Sequence, residues 1–503
     1  MNSHVSYPRL ILLMCGLIHI SLPRLSAEPI NLGSRRELFV DRHLIEKLDG
    51  AQLRLHHPTP RNVAIIHDEP WEGKGCCYMT VFQDGPIYRM YYRGLNVEYL
   101  EGKWIQSNEQ VTCYAESDDG IHWRKPKLGL FESGNSKQNN IVLTFANEKH
   151  ATHNFCPFRD DRPGVPTAER YKGVGGVIGG LYAYCSPDAI HWKKMQEQPI
   201  LTDGAFDSQN LAFWDSEHQL YRVFFRAFRN DGRDILTRVS DDFLNWREQG
   251  WLEYAPGRAN EHYTNQVLPY DRAPHIYLGF PTRYLDRGWS PSMEALPQLE
   301  FRRLRATSDQ REGTALTDGV LMASRDGRNF TVWHESFLRP GLQENNGWFY
   351  GSNYQSWGLV PTRSFLDDAI DELSFYVNEI TPDRKHSAHR RWTIRVDGFV
   401  SVNAPMKGGE LVTKPIVFSG QQLELNFATS AAGSIRIEIQ NPDGSPIEGF
   451  KLEQCPEIFG DTLRRIIPWK DNQTLASLSG KPVRLRFVLK DADLYSFRFG
   501  PPD

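Results

Sequence analysis

Four carboxylic acids are candidates for paired acid–base chemistry: Asp68, Glu72, Asp207 and Glu261. Glycoside hydrolysis needs two carboxyl groups on opposite sides of the scissile bond, about 5–5.5 Å apart for retention or ~6.5–9.5 Å for inversion. One of the two must stay protonated near neutral pH, through burial or a neighbouring charge. The company these acids keep suits sugar hydroxyls and rings. Gln209 and Asn210 follow Asp207, and His262 and Asn265 follow Glu261. Asn154, Asn353 and Tyr354 occupy comparable positions elsewhere, with Trp348 and Trp357 as stacking candidates. The candidate catalytic set is therefore Asp207, Glu261, Asp68 and Glu72. Each has the plainer alternative of a solvated turn residue.

Arginine supplies the second chemistry. Arg302, Arg303 and Arg305 lie in one stretch with Arg283 and Arg311 around it. A planar guanidinium fork suits carboxylate or sulfate, so Arg303 and its neighbours are expected to meet an anionic saccharide. Salt bridging to Glu300 and Asp309 is the competing reading. No metal or cofactor is expected. The cysteines and histidines lack zinc spacing, and the Gly175-Gly176 and Gly179-Gly180 pairs lack the Lys-Ser/Thr of a phosphate loop.

These residues must be positioned by something, and a repeat shows what. Ser117-Asp118-Asp119-Gly120-Ile121-His122-Trp123 shares its skeleton with the heptads beginning at Ser186, Ser240 and Ser324. The pattern is Ser-x-Asp-x-x-x-aromatic, ending in Trp123, Trp192, Trp246 and Phe330. Each copy follows a short apolar run that reads as a strand. Ser and Asp side chains suit a turn because they bond nearby backbone amides. Asp119, Asp188, Asp242 and Asp326 are therefore read as turn residues rather than catalysts. The terminal aromatic is expected to plug the gap to the next unit, with His122 and His191 exposed. The intervals between copies are uneven, as in blades that carry functional insertions.

The strands sort into blades. Cys77 to Phe82 and Ile87 to Tyr92 flank an Asp84-Gly85 turn, a strong hairpin signal. Tyr171 to Ile178 and Leu181 to Cys185 begin a second unit, and Asn210 to Trp214 with Leu220 to Phe225 a third. Gln266 to Pro269 with His275 to Phe280 give a fourth, followed by a long loop from Thr282 to Thr317. Tyr354 to Val360 and Glu372 to Val377 start a fifth. The early strand at 37–45 is expected to complete the last blade. Residues just before the innermost strand of each blade would surround one channel mouth, and the candidate acids and amides fall there. From about Ala404 the strands are split by Gly, Asp and Pro turns with the spacing of a β-sandwich.

This repeat resembles that of the five-bladed β-propeller glycoside hydrolases, the group of invertases, arabinanases and levansucrases. The resemblance implies an all-β fold: a five-bladed β-propeller followed by a C-terminal β-sandwich. It implies catalytic acids from blades one, two and three. The match is partial, since the Asn-Asp-Pro-Asn-Gly and Glu-Cys signatures are absent. Arg159-Asp160-Asp161 only loosely matches the family's Arg-Asp-Pro, and Asp207 and Glu261 fall one blade late.

Residues 1–27 read as a signal peptide: Arg9, an apolar run from Leu10 to Leu22, and Ala27 before the cleavage site. The protein is expected to be secreted or periplasmic, with the propeller over 28–403 and the sandwich over 404–503. Of seven cysteines, Cys15 would leave with the signal. The other six permit disulfides but read equally as small buried apolar residues. A formal net charge of −4 gives no reason to expect nucleic acid or a membrane as a partner. The expected partner is a carbohydrate, and the expected activity glycoside hydrolysis. The alternative is a non-catalytic propeller that binds glycan or protein. A lyase would instead need a His or Tyr base beside a charge-neutralising Arg.

Overall fold

The computed structural model describes residues 28–501 apart from 178, 230–231, 259, 346, 367–368 and 382–384. The expected signal peptide lies outside the described residues. The fold is all-β and propeller-like. Four four-stranded antiparallel sheets form its blades. The first runs Thr80–Asp84, Ile87–Gly94, Val111–Ser117, Ile141–Thr144, and the second Cys156–Arg159, Tyr171–Val177, Gly180–Ser186, Lys193–Lys194. The third runs Leu211–Asp215, Leu220–Arg229, Gly232–Ser240, Arg247–Trp251. The last runs Val360–Thr362, Glu372–Ile380, Ser387–Arg395, and takes Thr59–Ile66 as its edge. Between the third and the last lies a seven-stranded sheet built on Leu268–Tyr270, Ala273–Gly279, Ala315–Ser324 and Asn329–Leu338.

The four repeats fold alike, which explains their composition. In each, the Ser hydroxyl accepts the backbone N–H three residues on, at 2.9–3.0 Å. One Asp oxygen accepts the next two amides beyond its neighbour at 2.7–3.0 Å, as Asp119 does from Ile121 and His122. The residue after the Asp is left-handed: Gly120, Ala189, Phe243 and Gly327 have φ of 68–74°. Glycine fits two of these turns without a Cβ penalty. His122 and His191 are exposed.

The closing aromatics are half-buried except Phe330, which is buried. They pack towards the preceding sheet, not the following one. The ring of Trp123 lies 5.4 Å from Tyr376 of the last blade, and that of Trp192 lies 6.1 Å from Tyr91 of the first. Phe330 meets Phe224, and Phe243 beside Trp246 meets Phe158. The Tyr91 hydroxyl also donates to the carbonyl of Ala189 at 2.6 Å, and that of Tyr376 to Gly120. The turns at Gly120 and Ala189 thus carry both the plug and the acceptor that tie two sheets together.

The N-terminal strand departs from expectation. Arg36–Leu38 pairs with Arg484–Gly500, so it does not complete the last blade. Thr59–Ile66 does so, antiparallel to Ser387–Arg395. Ile30–Gly33, Ile45–Asp49 and Gln52–Leu55 also pair with strands after residue 399. The eight-stranded curled sheet around Gln422–Gln440 and Arg484–Gly500 therefore draws on both ends of the chain, and the pairing does not follow a division at 403/404. Its core gathers Leu32 and Phe39 with Leu425, Ile437, Phe487 and Phe497, all nearly inaccessible.

The six described cysteines are buried thiols, without disulfides. The stretch expected to be a long arginine loop carries the strand Thr282–Asp286 and the short helices Pro291–Glu294, Leu299–Ala306 and Gln310–Thr314. Among the described residues no helix is long and apolar enough to cross a membrane, and no three His, Cys, Asp or Glu side chains are grouped to hold a metal ion.

Candidate functional site

The segments leading into the inner strands converge. Tyr78 precedes Thr80–Asp84, Tyr263 precedes Leu268–Tyr270, and Tyr354 precedes Val360–Thr362. With Tyr284 and Tyr350 they form one aromatic floor, the Tyr263 ring lying 5.3 Å from Tyr354 and 5.8 Å from Tyr350. Beneath the floor the axis is closed by a chain of hydrogen-bonded side chains. Gln209 donates to Thr80 Oγ1 at 3.0 Å, Gln266 to Gln209 Oε1 at 2.8 Å, and Thr80 to Cys156 Sγ at 3.3 Å. Gln266 also reaches the carbonyl of Gln355.

Asp207 and Glu261 stand on this floor. The Asp207 carboxylate is exposed and pairs with the guanidinium of Arg226, whose side chain is buried. Glu261 accepts Nη1 of Arg233 at 2.8 Å and the Arg233 backbone amide at 3.1 Å. The two arginines lie over the same ring. The Arg226 and Arg233 guanidinium carbons are 5.1 and 5.4 Å from the Tyr263 centroid. Cations over an aromatic face are held by its quadrupole. Asp207 and Glu261 are thus joined through one tyrosine. Phe228, exposed at the top of the same hairpin, lies 5.8 Å from both guanidinium groups.

The rest of the rim is basic and tyrosine-rich. Arg311 donates to the Tyr350 hydroxyl at 3.2 Å and pairs with Asp309 at 2.9 Å. Tyr350 in turn donates to the Tyr263 hydroxyl at 3.0 Å. Burial pushes the Tyr78, Tyr350 and Tyr354 hydroxyls well above the ordinary phenol range. His153 reaches the Asp207 carbonyl through Nε2 at 3.1 Å, while Nδ1 faces Gln110 at 3.1 Å. Burial, with the charge of Arg93, pulls His153 down to about 3.

Asp68 and Glu72 lie elsewhere. Glu72 is buried in the seam between the first and last sheets, where its carboxylate meets Lys125 at 2.6 Å and the Tyr92 hydroxyl at 2.5 Å. Burial pushes it upward, against the pull of Lys125. Asp68, exposed, meets the same Lys125 at 3.2 Å. His67 and His389 share a 2.7 Å contact in that seam, and burial lowers both.

The proposed sugar contacts divide as well. Asn154 and Asn210 are buried, and their amide N–H groups are directed inward to the carbonyls of Phe206 and Ser208. They shape the turn that presents Asp207 instead of facing the mouth. His262 and Asn265 are fully buried below the floor. Burial holds His262 at about 3. Asn353 donates to the carbonyls of Thr317 and Gly347. Tyr354 belongs to the floor. Trp348 donates to the Gly341 carbonyl, outside the tyrosine cluster, and Trp357 is buried between inner strands. Arg303 pairs with Glu294 at a shallow surface pocket with Trp289. Arg302 and Arg305 are buried, donating to the carbonyls of Trp348 and Tyr350.

Sequence reasoning missed Arg93, Arg226 and Arg233, together with Tyr78, Tyr263 and Phe228. The first three sit inside strands. Parity alone offered a signal: Arg222 and Arg226 share a face with Phe224, so both had to find acids, Asp215 and Asp207.

No protein-family model matches the chain, and no curated protein matches it. Solved structures do. A glycoside hydrolase superposes with a TM-score of 0.42 at 14% identity, over 68% of this chain and 93% of that one. A glycoside hydrolase family 43 arabinoxylan arabinofuranohydrolase from Bacillus subtilis, in complex with cellotetraose, gives 0.43 at 11% identity, over 85% and 96%. A fructofuranosidase from Schwanniomyces occidentalis, complexed with fructosylnystose, gives 0.34 at 9% identity, over 88% and 96%.

Proposed function

We propose that the protein is a glycoside hydrolase whose site is the tyrosine-floored mouth, with Asp207 and Glu261 as its working carboxylates. One observation carries this reading: Asp207, in the segment before Leu211–Asp215, and Glu261, on the short strand Glu261–His262, flank a single ring, Tyr263, through Arg226 and Arg233. Tyrosine edges and the exposed Phe228 offer a sugar its apolar faces. In such a site one carboxyl protonates the departing glycosidic oxygen. The other either takes a proton from the attacking water or attacks the anomeric carbon itself. The substrate is a saccharide.

The test is release of reducing ends from a panel of neutral and acidic polysaccharides, with Asp207→Asn and Glu261→Gln as controls. Full activity in both variants would remove them from the mechanism. Elimination is a second reading, favoured by the Tyr263 phenol beneath two guanidinium groups. Ultraviolet absorbance from an unsaturated product would mark it. Saccharide binding with neither product would leave a glycan-binding propeller.

The same reading counts the seven-stranded sheet as the fourth of five blades, because four of its strands repeat the antiparallel order of the others. It takes the eight-stranded sheet as the sandwich and residues 1–27 as an export signal.

A further inference from the structure

We infer that Arg93 forms a subsite for an anionic group of the saccharide, a carboxylate or a sulfate ester. This rests on the reading of the mouth as a saccharide site, and it adds where the charge is held.

The other arginines of the mouth already have acids. Arg226 pairs with Asp207, Arg233 with Glu261, and Arg311 with Asp309. Arg93, at the end of strand Ile87–Gly94, is half-buried, and among the described residues no carboxylate lies within ion-pair distance of it. Its Nε and Nη2 both donate to the Gly75 carbonyl, at 2.9 and 2.8 Å. Its guanidinium carbon lies 5.1 Å from the Tyr78 ring centroid. Nη1 lies 3.3 Å from both ring nitrogens of His153. That imidazole offers no negative charge, and burial keeps it neutral.

A guanidinium partly withdrawn from water without a counter-ion is unfavourable, and an anion beside it recovers the loss. Gly75 fixes one edge of the fork, so the group is oriented before any ligand arrives. Tyr78 ties this subsite to the reacting pair, since its hydroxyl donates to the Asp207 carbonyl at 3.2 Å. Carboxylate and sulfate both match the remaining donors.

Calorimetric titration of the whole protein separates the cases. The probes are an oligogalacturonate with its methyl-esterified form, and a sulfated galactan oligosaccharide with its desulfated form. One charged probe is expected to bind about 10–100-fold more tightly than its neutral twin, the scale of one charge-assisted hydrogen bond. The probe that shows the preference says whether carboxylate or sulfate is the ligand. In Arg93→Gln the two forms should bind alike, and Arg93→Lys should keep part of the difference. Equal binding of charged and neutral forms by the unmodified protein would overturn the inference without any variant. So would failure of every charged probe to bind, or an undiminished preference in a folded Arg93→Gln. Turnover on the same probes keeps the two readings apart. Charge-blind hydrolysis would sink the subsite alone, and charge-dependent binding without cleavage would sink the hydrolase alone.

Discussion

Two clusters of acids, one at the mouth and one in the seam between the first and last sheets, differ in what surrounds them. At the mouth, Asp207 is exposed and Glu261 partly so, each on an arginine over a tyrosine ring. In the seam, Glu72 is enclosed with Lys125, Tyr92 and the His67–His389 pair, and Asp68 is exposed beside it. Residue types are alike in the two places. Access is not: the Asp207 carboxylate is open to solvent, while the Glu72 carboxylate is closed off between two packed sheets. A buried, fully bonded acid of this kind fastens the ring where Thr59–Ile66 completes it.

The largest effect should fall on turnover. Asp207→Asn and Glu261→Gln should each slow saccharide cleavage by about 10²–10⁴ while the protein melts as before. Glu72→Gln should leave turnover within a few-fold, which a rate assay beside a thermal melt would check.

The seam should answer in stability. Lys125→Met leaves the Glu72 carboxylate buried without its cation and should lower unfolding free energy by about 3–5 kcal/mol in a denaturant titration. An unchanged midpoint would show that the seam is wetter than its packing indicates.

Next come the plugs. Phe330→Ala, at a buried site, should cost about 3–5 kcal/mol. Trp123→Ala and Trp192→Ala, at half-buried sites, should cost less, roughly 2–3 kcal/mol by the same cavity reasoning.

These plugs also show what could be read from the chain. The four heptads announced their turns because Ser and Asp bond local amides, an interaction contained within seven residues. The direction of the plug was not readable, since Trp123 meets Tyr376 more than two hundred residues away. Nor was the partner of Arg36–Leu38, because alternation gives a strand its faces and not its neighbours. The mouth was half legible. Placement before an inner strand led to Asp207 and Glu261, which stand beside the tyrosine floor, but the same rule drew in Asp68 and Glu72, whose chain turns into the seam. It also drew in Asn154, Asn210 and Asn265, which face the backbone or the interior. Arg93 was invisible, since with Arg89 it reads as an ordinary polar position of strand Ile87–Gly94.

The smallest effect concerns pH. Burial pushes Asp188 and Asp242 upward, yet bonds from the backbone amides and side chains of His191 and Asn245 outweigh it and hold both at about 2. A carboxylate lowered on folding adds stability that is present above its unfolded value, near ~3.9, and is lost as pH falls through the folded one. The melting temperature should therefore decline between about pH 4 and pH 2. Asp188→Asn should soften that decline in a calorimetric scan.

The central claim is that the tyrosine-floored mouth, and not the seam, receives the sugar. A crystal structure of the Glu261→Gln protein soaked with an oligosaccharide tests it most directly. The expected result is a sugar ring over Tyr263 and Tyr354, with the scissile bond between Asp207 and the residue at 261, one facing the glycosidic oxygen and the other the anomeric carbon. A sugar bound along the blade edge near Asp68 and Lys125, with the mouth empty, would contradict it.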